Sequence, residues 1–369
     1  MNYGINDGKS HSICKVKQEK KMAKTGIVKD ERFMAHQMGA HHPESPERLE
    51  AIYAMLGEPD MKGQFFDIPV RRAEKDELLR IHSSDYVDRL AATEGKAHTY
   101  LDPDTQTCAD SYEAALLAAC GLCEAVSMVD SGEIANAFAL VRPPGHHAER
   151  SRAMGFCLLN NVAIGAGYAR EQLKLDRLLV VDWDLHHGNG TQHNFEDDPS
   201  ILYFSTHQYP YYPGTGAFNE TGQGQGEGFT VNVPLPVGCG DGEYLGVFEK
   251  ILRPVALEFN PQMILVSAGF DIYEGDPLGG MQVTPKGFAG LTRSIMEMAD
   301  ACCEGKVVIT LEGGYHVHGQ RDSVKEVLKE LSGISKTNLS DILEKGGPRT
   351  LEPIIQQAAE VHGQHWKNV

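Results

Sequence analysis

Asp182, Asp184 and His186 occupy alternate positions in the run Asp182-Trp183-Asp184-Leu185-His186-His187-Gly188-Asn189-Gly190. Alternate residues of extended chain share a face, so the two carboxylates and the imidazole can converge. On rigid backbone they make a half-site for zinc or a similar divalent cation. The glycines behind them permit a tight exit close to an ion or substrate. Taken alone, the segment also reads as capping residues at a strand-to-helix turn. Asp271, closing Ser267-Ala268-Gly269-Phe270-Asp271, supplies a third hard ligand. An Asp184/His186/Asp271 set leaves a coordination position open, which marks a catalytic rather than a structural zinc site. His146-His147 offers a general base beside such a metal; by themselves these two read more plainly as buried structural histidines. Asp182 is placed to hold one imidazole in its tautomer and charge state. Tyr315, following Gly313-Gly314 read as a flexible hinge, is placed to donate to a developing oxyanion. Metal, base and oxyanion donor together specify hydrolysis of an amide or ester carbonyl.

The elements that must position these groups are apolar runs of strand length. Leu178 to Val181 leads into Asp182, and Phe138 to Val141 into Arg142-Pro143-Pro144-Gly145-His146-His147. Ile201 to Phe204 leads into Ser205-Thr206-His207, Met263 to Val266 into Asp271, and Val307 to Leu311 into Glu312-Gly313-Gly314-Tyr315. Near-continuous apolar strands with helical patterns between them predict an α/β fold, a parallel sheet covered on both faces. Ligands bind such sheets beyond the carboxyl ends of the strands. The chemistry-bearing residues collect at that end.

The motifs R-P-P-G-H-H, G-F-C-L-L-N-N, D-W-D-L-H-H-G-N-G-T-Q, S-A-G-F-D, G-D-P-L-G-G and L-E-G-G-Y follow one another along residues 25 to 335. In that order they resemble the zinc-dependent histone deacetylase family, which includes bacterial acetylpolyamine amidohydrolases and acetoin-utilisation proteins. Asn189 and Leu278 make the resemblance closest to its class II branch; class I members tend to carry Asp at the former position, paired with the second histidine. The resemblance implies an arginase/deacetylase-like open parallel sheet of about eight strands, and hydrolysis of acyl-lysine amides. It implies Asp184, His186 and Asp271 as ligands of one zinc, His147 as general base and then acid, His146 paired with Asp182, and Tyr315 polarising the acyl carbonyl. Gly155 and Phe156 align with a tunnel wall, the glycine carbonyl receiving the substrate amide N–H. Tyr212 aligns with the opposite wall, where Phe is usual, so the added hydroxyl favours a slightly more polar stem. Potassium is implied as well, bound by Asp182, Ser205 and the backbone of Asp184 and His186, with a second site near Phe195, Asp198 and Ile201. A binuclear, arginase-like centre needs further carboxylates where Gly188 and Tyr273 stand, so one transition metal is expected.

The motifs interleave, so the 369 residues are read as one catalytic domain over 23–335, after a disordered extension over 1–22. A formal charge of −17 and a pI near 5.4 argue against a nucleic-acid grip, which wants a basic surface. They suit cationic lysine peptides or polyamines, or serve ordinary solubility. The first residues lack the apolar core of a signal peptide. No stretch is read as apolar and long enough to span a bilayer. Cys120 and Cys123 are read as buried on a helix face, and the eight cysteines as reduced thiols of a cytoplasmic protein. Gly214 to Gly228 is a loop without a phosphate-binding signature. An amphipathic helix follows Pro46, and His41-His42-Pro43-Glu44 before it resembles the family's entrance loop. Residues 340–344 and 351–365 are read as short helices of a C-terminal segment, 336–369, packing on the domain or at a homo-oligomer contact. Two other functions compete. An acetylpolyamine amidohydrolase would want an acidic gatekeeper where Leu278 stands, although Asp104 is placed to orient a cation at the rim. A catalytically silent acyl-lysine binder would have lost Tyr315 or a ligand.

Overall fold

The computed structural model describes Met1 and residues 24–369; apart from Met1, the expected disordered extension lies outside the described residues. Among the described residues ten strands form: β1 (Thr25–Val28), β2 (Phe66–Ile68), β3 (Thr99–Tyr100), β4 (Gln106–Thr107), β5 (Asn136–Ala139), β6 (Leu178–Asp182), β7 (Ile201–Gln208), β8 (Thr230–Leu235), β9 (Met263–Ala268) and β10 (Val307–Leu311). Eight of them make one sheet in the order β2-β1-β5-β10-β9-β6-β7-β8, and β3 pairs with β4. Every pairing in the large sheet is parallel. All residues of β5, β6, β9 and β10 are buried. Successive side chains point to opposite faces, so both faces are covered, as the apolar runs predicted.

The four strands that lead into the expected site, β5, β10, β9 and β6, are consecutive neighbours at the centre of this sheet. Their register aligns Ala139 with Thr310, Thr310 with Ser267, and Ser267 with Asp182. The strand ends therefore form one level rim. β7 departs from expectation. It runs on through Ser205, Thr206 and His207 to Gln208, because β8 pairs with it as far as Leu235. Those polar residues lie within a strand, not beyond one.

The helix Ser111–Asp130 corrects the statement on membrane spans. It has the length and mean hydropathy of one, yet 78% of its most apolar window is buried inside the protein. Cys120 and Cys123 are among its buried residues. Its apolar surface packs against β1, β5, β10 and the helix Asn161–Glu171. Among the described residues, seven cysteines are present and all are free. The early helix after Pro46 spans Glu47–Leu56 and buries Arg48, Leu49, Ile52, Met55 and Leu56. At the other end of the chain the helices are Leu339–Leu343 and Pro348–His362. The second starts earlier than expected because Pro348 occupies its first position, where a missing N–H costs nothing. It packs near β8, and beyond it Trp366 Nε1 donates to Gly228 O. That segment closes over the Gly-rich loop.

Candidate active site

Asp184, His186 and Asp271 meet just beyond β6 and β9, with one ligand atom of each within 4.8 Å of the others. His186 Nδ1 lies 3.2 Å from Asp184 Oδ1 and 3.1 Å from Asp271 Oδ2. The remaining carboxylate oxygens are held by backbone: Leu185 N donates to Asp271 Oδ1 and Gly313 N to Asp184 Oδ2. Both carboxylates are buried. Burial and the Asp184 charge push Asp271 up to about 7, and although burial opposes it, hydrogen bonds and charge from the two carboxylates raise His186 to about 9. Two buried carboxylates around one imidazole nitrogen concentrate negative charge where a cation relieves it. The donor types, one N and two O, fit a borderline divalent ion, and among the described residues the group has three members.

His146 and His147 stand side by side with ring centres 4.0 Å apart, in different circumstances. His146 Nδ1 is 3.0 Å from Asp182 Oδ2, which also accepts from Tyr203 Oη. Burial opposes charge on His146, but Asp184 and Asp182 outweigh it and raise the imidazole to about 10. Burial in turn pushes Asp182 up. His147 Nδ1 faces Asn189 Oδ1 at 2.7 Å. Burial and the neighbouring His146 and His186 push it well below the usual histidine range. The surroundings thus favour charge on one imidazole and disfavour it on its neighbour.

A cavity of about 180 Å³ is lined by Asp104, His147, Gly155, Phe156, His186, Tyr212, Leu278 and Tyr315. All five expected substrate-binding residues are therefore brought to one cleft with three of the expected chemical groups. Gly155 has φ +57°, and a Cβ there would meet His147 Cδ2 at 2.3 Å, so only glycine fits. Phe156 also lies in the left-handed region, at φ 69°, a conformation a bulky residue keeps only under surrounding constraint. Its amide donates to Thr105 Oγ1, its ring packs edge-on to Tyr315 at 5.9 Å, and His42 of the entrance loop packs against it at 4.6 Å. Tyr212 faces His147 from the other side, ring centres 5.2 Å apart. Asp104 holds the Gly155 amide and the Thr105 hydroxyl through Oδ1, so it shapes the wall as well as the rim.

The reading of Gly313-Gly314 as a flexible hinge is corrected. A Cβ at Gly313 would meet Asp271 Oδ2 at 2.4 Å, and one at Gly314 would meet Phe270 Cβ at 2.7 Å. These glycines permit close packing behind the carboxylates and hold Tyr315 firmly. Three residues that sequence reasoning passed over assist. Arg48 Nε donates to Gly314 O, Asp276 Oδ2 accepts from Tyr315 N and His316 N, and Glu312 Oε2 accepts from Gly145 N and His146 N. Glu312 was visible as a polar residue ending a buried strand, and Arg48 as a charge on the apolar face of its helix. Of the expected potassium ligands, Ser205 Oγ pairs with His207 Nδ1 and Asp182 Oδ1 accepts from Asp184 N. Phe195 O accepts from Asp198 N and Asp198 O from Ile201 N, which places the second trio in one tight turn.

A level rim of parallel strands, a buried Asp-His-Asp group, paired histidines and a narrow cleft define a protein of the arginase/deacetylase fold. A histone deacetylase domain model matches residues 42–331, and the chain belongs to the histone deacetylase family. Histone deacetylase 15 of Arabidopsis thaliana is 41% identical over 324 residues, covering 85% of this chain and 58% of the relative. A probable deacetylase of Archaeoglobus fulgidus is 37% identical over 93% of this chain and 99% of its own length. The human polyamine deacetylase HDAC10 is 41% identical over 88% of this chain and 50% of its own. The crystal structure of the HDA15 HD domain superposes with a TM-score of 0.86 at 37% identity, covering 94% of this chain and 96% of that one. Except for the archaeal protein, this chain spans only about half the length of these curated relatives.

Proposed function

We propose that this chain hydrolyses the side-chain amide of acyl-lysine, with one divalent cation, zinc, held by Asp184, His186 and Asp271. The observation that carries this reading is the cavity of about 180 Å³, in which His147, His186 and Tyr315 share a space with the aromatic faces of Phe156 and Tyr212. It is smaller than an ordinary drug-sized pocket, and suits a linear aliphatic stem rather than a bulky ring system. When bound, such a cation supplies Lewis acidity to an acyl carbonyl and to an attacking water.

The protein's own groups divide the remaining work. His147, whose charged form is disfavoured by burial and by the adjacent His146, takes the proton of the water and later delivers it to the leaving amine. His146, paired with the Asp182 carboxylate at 3.0 Å, adds a positive field beside the developing negative charge. The Tyr315 hydroxyl donates to the carbonyl oxygen as that charge grows. The Gly155 carbonyl accepts the substrate amide N–H and sets the depth of the acyl group. Potassium at the Asp182 and Ser205 site, and a second near Phe195, Asp198 and Ile201, belongs to the same reading.

Acetylpolyamines are the second substrate class, supported by the likeness to a polyamine deacetylase and by the Asp104 carboxylate lining the cleft. Leu278 lines the cleft where a polyamine ammonium would want a negative partner, and this favours lysine. A panel of acetyl-, propionyl- and lactyl-lysine peptides against N-acetylputrescine and acetylspermidine decides. Acetyl-lysine peptides are expected to have the highest kcat/KM; equal or better polyamine turnover overturns the lysine reading.

A further inference from the structure

Asn189 stands between His147 and a residue outside the cleft. Its Oδ1 is 2.7 Å from His147 Nδ1, while its Nδ2 donates to Glu149 Oε1 at 2.6 Å and to Met154 Sδ at 3.4 Å. A side-chain amide has an accepting and a donating face, and its neighbours decide which way it turns. Both groups at the nitrogen are acceptors, a carboxylate and a thioether, so the carbonyl is turned to His147. A carbonyl cannot donate, and the imidazole nitrogen that faces it must therefore carry the proton. The lone pair of neutral His147 then lies on Nε2. Burial pushes Glu149 up, but His193 and the Asn189 amide outweigh this and keep the carboxylate ionised. His193 Nδ1 lies 2.9 Å from the same Oε1.

We propose that Glu149 is a positioning residue which, acting through Asn189, selects the His147 tautomer whose Nε2 is free to accept a proton. That this matters for catalysis rests on the reading of His147 as the general base; the tautomer itself does not. An aspartate at position 189 would present an acceptor in either orientation and need no further partner. Asparagine is two-faced and needs one, which arrives from the same loop as the base, in His146-His147-Ala148-Glu149. A Glu149 that served only as an ion-pair partner of His193 and Arg152 would leave the tautomer untouched.

The test is nitrogen NMR of the metal-loaded protein with labelled histidine, the His147 signals being assigned by their loss in His147→Ala. The native protein is expected to show a protonated Nδ1 and an unprotonated Nε2. In Glu149→Gln the new amide can donate to Asn189 and let it turn, so Nε2–H becomes populated. Second-sphere losses of this kind cost about tenfold in activity, here in kcat, with KM changed less than about twofold. The double variant Asn189→Asp/Glu149→Gln is expected to recover the Nδ1–H form, a rescue that a purely structural role does not predict. If Glu149→Gln does not fold, Glu149→Asp, whose shorter carboxylate withdraws from Asn189, gives the same readout. An unchanged tautomer in the folded variant, or no rescue by the double variant, overturns the proposal. A tautomer that moves as stated in a protein without activity on acyl-lysine leaves this proposal standing and removes the substrate reading.

Discussion

The guanidinium of Arg48 lies 5.1 Å from the centre of the Tyr315 ring while its Nε donates to the carbonyl of Gly314 at 2.7 Å. A charge from the first long helix thus holds the ring of Tyr315 and the carbonyl of the residue before it, just after the last strand. Arg48 is itself held by Glu44, which also pairs with Arg142 and approaches His36. All four side chains are fully buried.

Arg48→Lys is expected to displace Tyr315. An ammonium cannot reproduce the guanidinium fork that reaches Gly314 O, Glu312 O and Glu44 together. A misplacement near 1 Å can cost up to about a hundredfold in rate. Steady-state kinetics should show the loss in kcat, with binding of a metal-chelating hydroxamate retained. Normal turnover in the folded variant would mean that other contacts place Tyr315.

The metal group should hold one divalent cation per chain, with occupancy lost in Asp271→Ala. The grounds are the three donor atoms within 4.8 Å, together with Gly188 and Tyr273 where a second metal would need carboxylates. Elemental analysis of purified protein checks it. Two transition metals per chain, or full occupancy in the variant, would count against it.

Much of this site is legible in the sequence because its signals are local. Asp182, Asp184 and His186 alternate directly after an apolar run, and a buried strand leaves such residues little choice but to face its carboxyl end. Asp271 and Tyr315 follow their strands in the same way. What escaped reading depends on distant partners. Nothing near Arg48 announces that it will meet Gly314, 266 positions away. Gly313-Gly314 resembles a hinge until Asp271 and Phe270 are seen packed against it. Ser205 and His207 look like a strand end because they are polar, but β8 supplies pairing that carries the strand past them. The helix Ser111–Asp130 owes its apolar composition to burial on the sheet, which composition alone does not distinguish from burial in lipid.

Leu278→Glu should shift preference towards acetylpolyamines. Leu278 lines the cleft, its carbonyl accepts from Tyr211 Oη at 2.8 Å and its amide donates to Asp276. The backbone is therefore fixed from both sides, and the substitution changes side-chain chemistry with little change of shape. A carboxylate there pairs with a remote ammonium and removes apolar contact from a lysine stem. The ratio of kcat/KM for acetylspermidine to that for an acetyl-lysine peptide is expected to rise; an unchanged ratio would place the specificity elsewhere.

Acid sensitivity should have an identifiable contribution from His82. Burial lowers this imidazole to about 4 against backbone hydrogen bonds that favour its charge. Asn160 N donates to Nε2, and Nδ1 meets Glu149 O at 2.9 Å, an arrangement that suits the neutral ring. In the unfolded chain the group returns to about 6.5. The unfolded state therefore binds more proton between pH 4 and 6.5. The contribution to stability is full above about pH 6.5 and is lost as pH falls towards 4, in total roughly 3 kcal/mol. His82→Gln can keep one acceptor and one donor without titrating. Urea unfolding across this range should show a shallower pH slope in the variant; equal slopes would assign the effect to other groups.

Tyr315 and His147 should fail in different ways when altered. Tyr315→Phe removes one hydroxyl from the cleft and leaves the metal donors and the walls in place. Such a donor contacts a developing oxyanion more strongly than a ground-state carbonyl, and losing it typically costs on the order of 10² to 10³ in kcat. Hydroxamate affinity should change little. His147→Ala should also abolish turnover, because the neutral imidazole beside the metal group is the candidate proton acceptor and the donor to the leaving amine. His146→Ala should cost less, since that ring is paired with Asp182 and in this reading carries no proton to substrate. The three variants must be compared at matched metal content, as His146 packs close to Asp184. Near-normal kcat in Tyr315→Phe would remove the oxyanion role. Greater damage from His146→Ala than from His147→Ala would exchange the roles of the two imidazoles, making the ring paired with Asp182 the one that moves the proton.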